Sequence, residues 1–318
     1  MELSLSRVDL LQVGSTARNN LRLLPISKRS TQKVVIGDND GVVNCFGMKK
    51  GKADTTFKVA PLTKEITSLS LGGGAKGNNF IFAAHGRNIT GFSRKGKNIY
   101  EHQSPQTEDI NNLQVIQTEE RIFAAGDFVL TETCHGVEES LFMANDKING
   151  MLLQKPGANY ETVLACQDRQ VRVVRGSQLV NEIGVAGPAT VVTSFDTNSA
   201  FDQEFAVEER AQHQARLGSE VSELKAKVAA ADDAELAELE EELQTKTREL
   251  ESHNANGETN RREILYGTES GLIGLIAFVP GGQGADGTVM QHGWSIPNVR
   301  RLGSINCIGT CDITKDGR

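Results

Sequence analysis

The chain has 318 residues, 38% of them hydrophobic and 24% charged, with a formal net charge of -7. That is enough apolar chain for a large buried core, yet no run approaches the roughly 18–20 apolar residues of a membrane-spanning helix, which excludes that class and predicts a soluble protein. The start, MELSLSRVDLLQVG, lacks the basic stretch, apolar run and cleavage site of a secretory signal. The five cysteines (Cys45, Cys134, Cys166, Cys307 and Cys311) have no framework spacing, so they read as free, buried thiols of a cytosolic protein.

Taken in chain order, one phrase recurs: a hydrophobic pair, two small residues, a polar turn and a second alternating run. LRLLPI (21–26) precedes VVIGDNDGVVNCF (34–46), ITSLSL (66–71) precedes IFAAHGRNITGF (81–92), and INNLQVI (110–116) precedes IFAAGDFVLTET (122–133). INGMLL (148–153) precedes VLACQDRQVRVV (163–174), and ATVVTSF (189–195) precedes ILYGTESGLIGLIAF (264–278) after a long interruption. The small residues Gly37, Ala84, Ala125, Cys166 and Gly267 are spaced by 47, 41, 41 and 101 residues. A period of about 40–45 residues built from short strands predicts propeller blades, with Val35, Phe82, Phe123, Leu164 and Leu265 equivalent. The leading run is the first strand of each blade and the small-residue strand the second, the small side chains suiting a crowded axis. A β-sandwich also uses short strands, but it has no reason to repeat one phrase five times. Asp40-Gly41, Lys95-Gly96, Arg175-Gly176 and Ser270-Gly271 mark hairpin turns in which glycine takes positive φ. INCIGTCDI (305–313) is expected to open a further blade whose second strand is missing, so the chain is expected to be a fragment of a longer protein, with one blade edge left unpaired.

Between Phe195 and Ile264 glycine and β-branched residues give way to Ala, Glu, Leu and Lys. Leu217, Val221, Leu224 and Val228 keep heptad spacing, as do Leu236, Leu239, Leu243 and Leu250, and the two runs are out of phase at Asp232–Glu235, a capping sequence. The expected fold is therefore all-β, a β-propeller of seven blades in the full protein and incomplete here, with an inserted α-helical hairpin. Residues 1–196 form the first part of the propeller, 197–262 the hairpin, and 263–318 its continuation. Residues 201–262 carry 16 acidic and 8 basic side chains, so the acidity of the chain resides in this arm and argues against nucleic acid as its ligand.

A search for chemistry finds little. Gly91–Lys97 has the spacing of a phosphate loop, but Asn98 stands where Ser or Thr would hold magnesium and no helix follows. Cys307 and Cys311 are too far apart on a strand to share a zinc ion, and no histidine belongs to a catalytic pattern. No enzyme, metal or cofactor is expected. Lys49, Lys50 and Lys52 follow the first phrase and Arg94, Lys95 and Lys97 the second, at matching places in adjacent blades. They read as solvated hairpin turns or, joined into one patch, as a site for an acidic partner or an anionic membrane surface. In the arm, Glu238, Glu241 and Glu242 are the candidate contacts to another subunit.

QKVVIGDNDGVVNCFGMKKG (32–51), DKIN (146–149) and LACQDR (164–169) closely resemble the N-terminal propeller of the Bardet-Biedl syndrome protein seven family, subunits of the BBSome. The likeness reaches from about Leu10 to Gly317; the arm departs from the family pattern. The resemblance implies a non-enzymatic scaffold in a coat-like complex that moves membrane proteins into and out of cilia. It implies as partners the other BBSome subunits, above all the second Bardet-Biedl protein, together with ciliary membrane-protein cargo and, indirectly, a small Arf-like GTPase and the membrane surface. It also places the protein at the cilium, its basal body and the cytoplasm. The alternative is a binding module or enzyme with a ligand site in the central channel. Ala83-Ala84, Ala124-Ala125 and Ala165-Cys166, which carry little chemistry, favour the scaffold.

Overall fold

The computed structural model describes residues 9, 11–24, 32–49, 52–72, 80–156, 159–195, 221–222, 224–225, 243–244, 246, 262–280, 288–297 and 303–309. Five four-stranded antiparallel sheets succeed one another along the chain, each ordered as the chain runs. Blade 1 is β1 (Leu21–Leu24), β2 (Lys33–Gly37), β3 (Val43–Lys49) and β4 (Lys52–Lys58). Blade 2 is β5 (Ser68–Gly72), β6 (Phe80–His85), β7 (Asn88–Phe92) and β8 (Asn98–Gln103). Blade 3 is β9 (Asn112–Ile116), β10 (Arg121–Ala125), β11 (Val129–Cys134) and β12 (Val137–Met143), with a 3-10 turn at Gln117–Glu119. Blade 4 is β13 (Ile148–Gln154), β14 (Glu161–Cys166), β15 (Gln170–Arg175) and β16 (Gln178–Gly184), and blade 5 is β17 (Ala189–Ser194), β18 (Glu263–Thr268), β19 (Ile273–Pro280) and β20 (Thr288–Ile296).

The alternation of each strand sends its two faces into two different cores. Val35 joins Ile81 and Ala83 between blades 1 and 2, while Phe82 and Ala84 of the same strand β6 join Leu113 and Ala124 between blades 2 and 3. Ala125 and Leu130 meet Leu164 and Cys166 between blades 3 and 4, and Val163 and Ala165 meet Ile264 and Tyr266 between blades 4 and 5. Each blade is thus stabilised by its neighbours rather than by itself, as stacked repeats require. In blades 2 to 4 the second and third strands are mostly buried on both faces, and the fourth strands are half-exposed, as in β4 and β16. Gly41, Gly96, Gly176 and Gly271 take φ of 77°, 81°, 58° and 81°, the left-handed turn geometry that their sequence predicts.

Two equivalences shift by one residue. The ladder pairs Gly37 with Val43, Ala84 with Ile89, Ala125 with Leu130, Ala165 with Val171 and Gly267 with Ile273. The fourth small residue is therefore Ala165, not Cys166, and Val163, not Leu164, matches Val35, Phe82, Phe123 and Leu265. The displacement arises because Ala165 and Cys166 are both small, so the sequence alone does not say which of them pairs with the third strand. The small side chains also serve something other than the axis. A Cβ on Gly37 would lie 2.5 Å from Cγ2 of Ile66, and one on Gly267 would lie 2.5 Å from Cγ2 of Ile305. In both places the glycine clears the leading isoleucine of the next blade.

Ile66, Ile110, Ile148 and Ile305 each donate a backbone N–H to a carbonyl of the preceding second turn, at Asp38, Gly86, Asp127 and Thr268. Ile305 therefore stands at the head of a sixth repeat, although residues 303–309 form no strand. Among the described residues the ring is open between blades 5 and 1. Leu21 and Leu23 on β1 are 52% and 57% exposed, and Ile296 on β20 is 59% exposed, because no blade covers those faces.

One buried group makes stability depend on pH. His85 lies between Thr63 Oγ1 and Thr90 Oγ1, with its ring nitrogens at 3.0 and 2.9 Å. Burial holds its pKa below the ordinary 6.5, outweighing the nearby Glu101. A histidine whose folded pKa is depressed is neutral in the native state, so below pH 6.5 the unfolded chain binds more protons and stability falls toward the folded pKa. We expect the melting temperature to drop between about pH 7.5 and pH 5.5, and the drop to be smaller in His85→Gln. An unchanged drop in that variant would remove His85 as its source.

Candidate interaction surfaces

Propeller blades surround a central channel, a concave place where a ligand could bind. The inner strands begin with polar residues whose side chains reach into the next blade. Asn20 Nδ2 donates to the Ile66 carbonyl, Thr67 Oγ1 to that of Ile110, Asn149 Nδ2 to that of Ala189 at 2.9 Å, and Thr190 Oγ1 to that of Ile305. These bonds satisfy backbone groups that the open sides of the inner strands leave without a sheet partner. The segment before β1 adds to them. Asn19 is bridged in parallel to Ser68 of blade 2 and donates from Nδ2 to Asn112 Oδ1 of blade 3 at 3.0 Å. Arg18 Nη1 donates to the Thr190 carbonyl of blade 5 at 3.0 Å. The chain's own side chains occupy the axial face of four blades. The sequence does carry a signal for this, an isoleucine followed by Asn or Thr at Ile66-Thr67, Ile110-Asn111, Ile148-Asn149 and Ile305-Asn306, which the strand phrases overshadow.

The arm leaves and re-enters through one hairpin. Ser194 pairs with Ile264, and the Phe195 N–H donates to the Glu263 carbonyl at 3.1 Å, so the two ends of the insertion stand side by side at the close of β17 and the start of β18. Arg262 fixes the returning end. Its Nε donates to Gln154 Oε1 at 2.6 Å, Nη1 pairs with Glu161, and the guanidinium lies 3.9 Å from the centre of the Phe278 ring. Glu161 is 1% exposed and also receives Arg175 Nη2 at 2.5 Å. The root of the arm is thus built into the joint between blades 4 and 5. Within the arm, Val221, Ser222, Leu224 and Lys225 are helical, as are Leu243, Gln244 and Lys246, and Val221 and Leu224 are buried, in keeping with their heptad places. Glu238, Glu241 and Glu242 lie outside the described residues, as do most of the heptad positions.

The basic residues fall on turns between third and fourth strands of blades 1 and 2. Lys49 ends β3, Lys50 lies outside the described residues, and Lys52 opens β4 and is exposed. Arg94, Lys95 and Lys97 form the β7–β8 turn, closed by the Ser93 N–H to the Lys97 carbonyl at 2.8 Å; the phosphate-loop spacing is a hairpin. Gly96 packs on Phe57, five residues along β4 from Lys52, so the two basic turns are staggered by about 16 Å at roughly 3.3 Å per residue. Among the described residues no group of three or more His, Cys, Asp and Glu side chains is placed to hold a metal ion. Cys45 and Cys166 are free and buried, whereas Cys307 is exposed, against the expectation of burial; Cys311 lies outside the described residues.

These features define a class: an open β-propeller, built from tandem four-stranded repeats among the described residues, with blades laced near the hub by polar side chains and a long insertion between the first two strands of one blade. Comparison with known proteins gives the same class and narrows it. The chain belongs to the BBS7 β-propeller family, whose model matches residues 21–208, more than half of the sequence. It is 32% identical to the BBSome complex member BBS7 of Mus musculus over the whole chain, and 25% identical to the BBSome complex member bbs-7 of Caenorhabditis elegans over 60% of it. It spans 35% and 27% of the lengths of those two relatives. Among solved structures it is similar to the β-propeller domain of Myceliophteria thermophila Cps50 (Swd1), with a TM-score of 0.53 and 13% identity, over 92% of this chain and 74% of that one. It is also similar to BBS1N crystallised in complex with ARL6DN, with a TM-score of 0.52 and 10% identity, over 90% of this chain and 68% of that one. At these identities the likeness shows the fold alone.

Proposed function

We propose that this chain is the propeller part of a non-enzymatic BBSome subunit, a scaffold through which a coat-like complex carries membrane proteins to and from cilia. The observation that carries the reading is membership of the BBS7 propeller family. In this reading residues 1–196 and 263–318 form the propeller and residues 197–262 a helical hairpin. The partners are the other BBSome subunits, including the second Bardet-Biedl protein, and ciliary membrane-protein cargo. An Arf-like GTPase and the membrane act indirectly, a reading supported by the likeness in fold to BBS1N, which was crystallised in complex with ARL6DN. The protein then works at the cilium, its basal body and the cytoplasm, peripheral to the ciliary membrane.

Within that scaffold we assign the docking of another subunit to the arm. Its two ends are held together at the joint between blades 4 and 5 by Arg262 and by the pairing of Phe195 with Glu263, which gives the insertion a fixed root. A helix from Gln203 to Ala230 would reach about 40 Å at 1.5 Å per residue. The surplus of acidic side chains calls for a basic partner surface, and the turns at Lys49–Lys52 and Arg94–Lys97 for an acidic one. Changing Glu238, Glu241 and Glu242 to lysine in the full-length protein should weaken its co-purification with the complex while leaving the propeller's melting temperature unchanged. If a protein with Asn198 joined to Arg261 by a short linker assembles and supports ciliary transport as well as the intact one, the arm is not a docking element.

A further inference from the structure

The joints between consecutive blades are not built alike at the hub. Blades 1 and 2, 2 and 3, and 4 and 5 are bolted by Asn20, Thr67 and Asn149, each reaching the leading carbonyl of the next blade. At the joint between blades 3 and 4 the corresponding residue is Asn111. Its amide turns back to Asp127 Oδ1 of its own blade at 2.9 Å, and among the described residues no side chain from the head of β9 reaches the carbonyl of Ile148. What spans the joint there is the Ile148 N–H to the Asp127 carbonyl and a solvent-exposed pair between Lys147 and Asp127 at 3.2 Å. An exposed pair of that kind adds little stability. Farther out, Glu119 of blade 3 holds Lys155 and Tyr160 of blade 4 at 2.8 and 2.7 Å. The joint is therefore secured toward one side and lacks its bolt at the axis.

Arg18 and Asn19 lie across that gap. Asn19 Nδ2 donates to the Asn111 carbonyl at 3.3 Å and to Asn112 Oδ1 at 3.0 Å, both on blade 3. Arg18 Nη2 donates to the Asn149 carbonyl of blade 4 at 3.4 Å, while its Nη1 holds Thr190 of blade 5. Two adjacent residues of the leading segment thus tie together the two blades that the repeat leaves unbolted. We propose that Arg18 and Asn19 form an axial clasp in place of the missing bolt, and that the joint between blades 3 and 4 is the hinge at which those two blades part when the clasp is released.

The chain carries its own reporters of this motion. Cys166 is fully buried in the core shared by blades 3 and 4, beside Ala125, Leu130 and Ile148. Cys45 is fully buried in the core shared by blades 1 and 2, where the Asn20 bolt remains. Buried thiols react through local opening, so alkylation under native conditions, read peptide by peptide, measures each joint separately. The double variant R18M/N19A should speed labelling of Cys166 by about tenfold, the effect of losing the three partly exposed hydrogen bonds that Arg18 and Asn19 make to blades 3 and 4, and leave Cys45 within about twofold of the parent. Equal acceleration at both cysteines would mean general destabilisation, and no acceleration at Cys166 would mean that the clasp holds nothing; either result overturns the proposal. If the double variant does not fold, the pair N19C/N112C takes its place. Its oxidised form should label Cys166 more slowly than its reduced form, and equal rates in the two would be equally fatal.

Discussion

Gly37→Val is expected to destabilise the propeller by about 3 kcal/mol, lowering its melting temperature by roughly 6–10 °C. The new Cβ would lie 2.5 and 2.9 Å from Cγ2 and Cβ of Ile66, a side chain that is itself fully buried and has nowhere to retreat. Ile66→Ala alone should cost about 2–4 kcal/mol through the cavity it leaves. Because the two changes act on one space, the double variant G37V/I66A should cost less than the sum of the singles by at least about 1 kcal/mol. Thermal melts of the four proteins check this, and additivity would show that Gly37 is not there to admit the next blade. Gly267 and Ile305 repeat the contact in blade 5, but Ile305 is only partly buried and can give way, so Gly267→Val should be destabilising by less than Gly37→Val.

The second large effect lies at the root of the arm. Glu161→Ala removes a carboxylate that is 1% exposed and leaves Arg175 and Arg262, which are 24% and 12% exposed, without their shared anion. Breaking a buried ion pair from one side typically costs about 3 kcal/mol, more than the pair itself contributes, because the remaining charge stays desolvated. Arg262 keeps Gln154 and the Phe278 ring, so the loss should fall on the joint between blades 4 and 5 rather than on the whole ring. Limited proteolysis should then cut faster beside Arg262 in the variant than in the parent, together with a melting temperature lowered by about 6–10 °C. A variant that melts with the parent and is cut no faster would show that the ion pairs are ornamental.

The parts of this fold legible in the sequence are those that repeat at short range. Alternation, paired small residues and Asp-Gly or Lys-Gly turns are local, and they located the first three strands of each of the five blades and four turn glycines, but not the half-exposed fourth strands. The register slip in blade 4 shows the limit: in VLACQDRQ both Ala165 and Cys166 are small, and only the pairing of Ala165 with Val171 tells them apart. Contacts between blades are harder still. Nothing adjacent in sequence joins Arg18 to Thr190, or Glu161 to Arg262, because each pair meets only when the ring has formed. The heptads of the arm announce a helix, yet the residue that roots it, Arg262, lies outside the heptads and next to a strand. The basic turns at Lys49–Lys52 and Arg94–Lys97 fall at matching places in successive blades, while their stagger shows only where Gly96 packs on Phe57, a contact between blades that the sequence does not display.

The measurement that tests the account most directly is a pull-down of the full-length protein from ciliated cells, with its associated proteins identified and quantified. The account predicts that the other BBSome subunits are recovered with it in near-equal amounts, the second Bardet-Biedl protein among them. Recovery of the protein alone, or with a set of proteins that excludes those subunits, would contradict it.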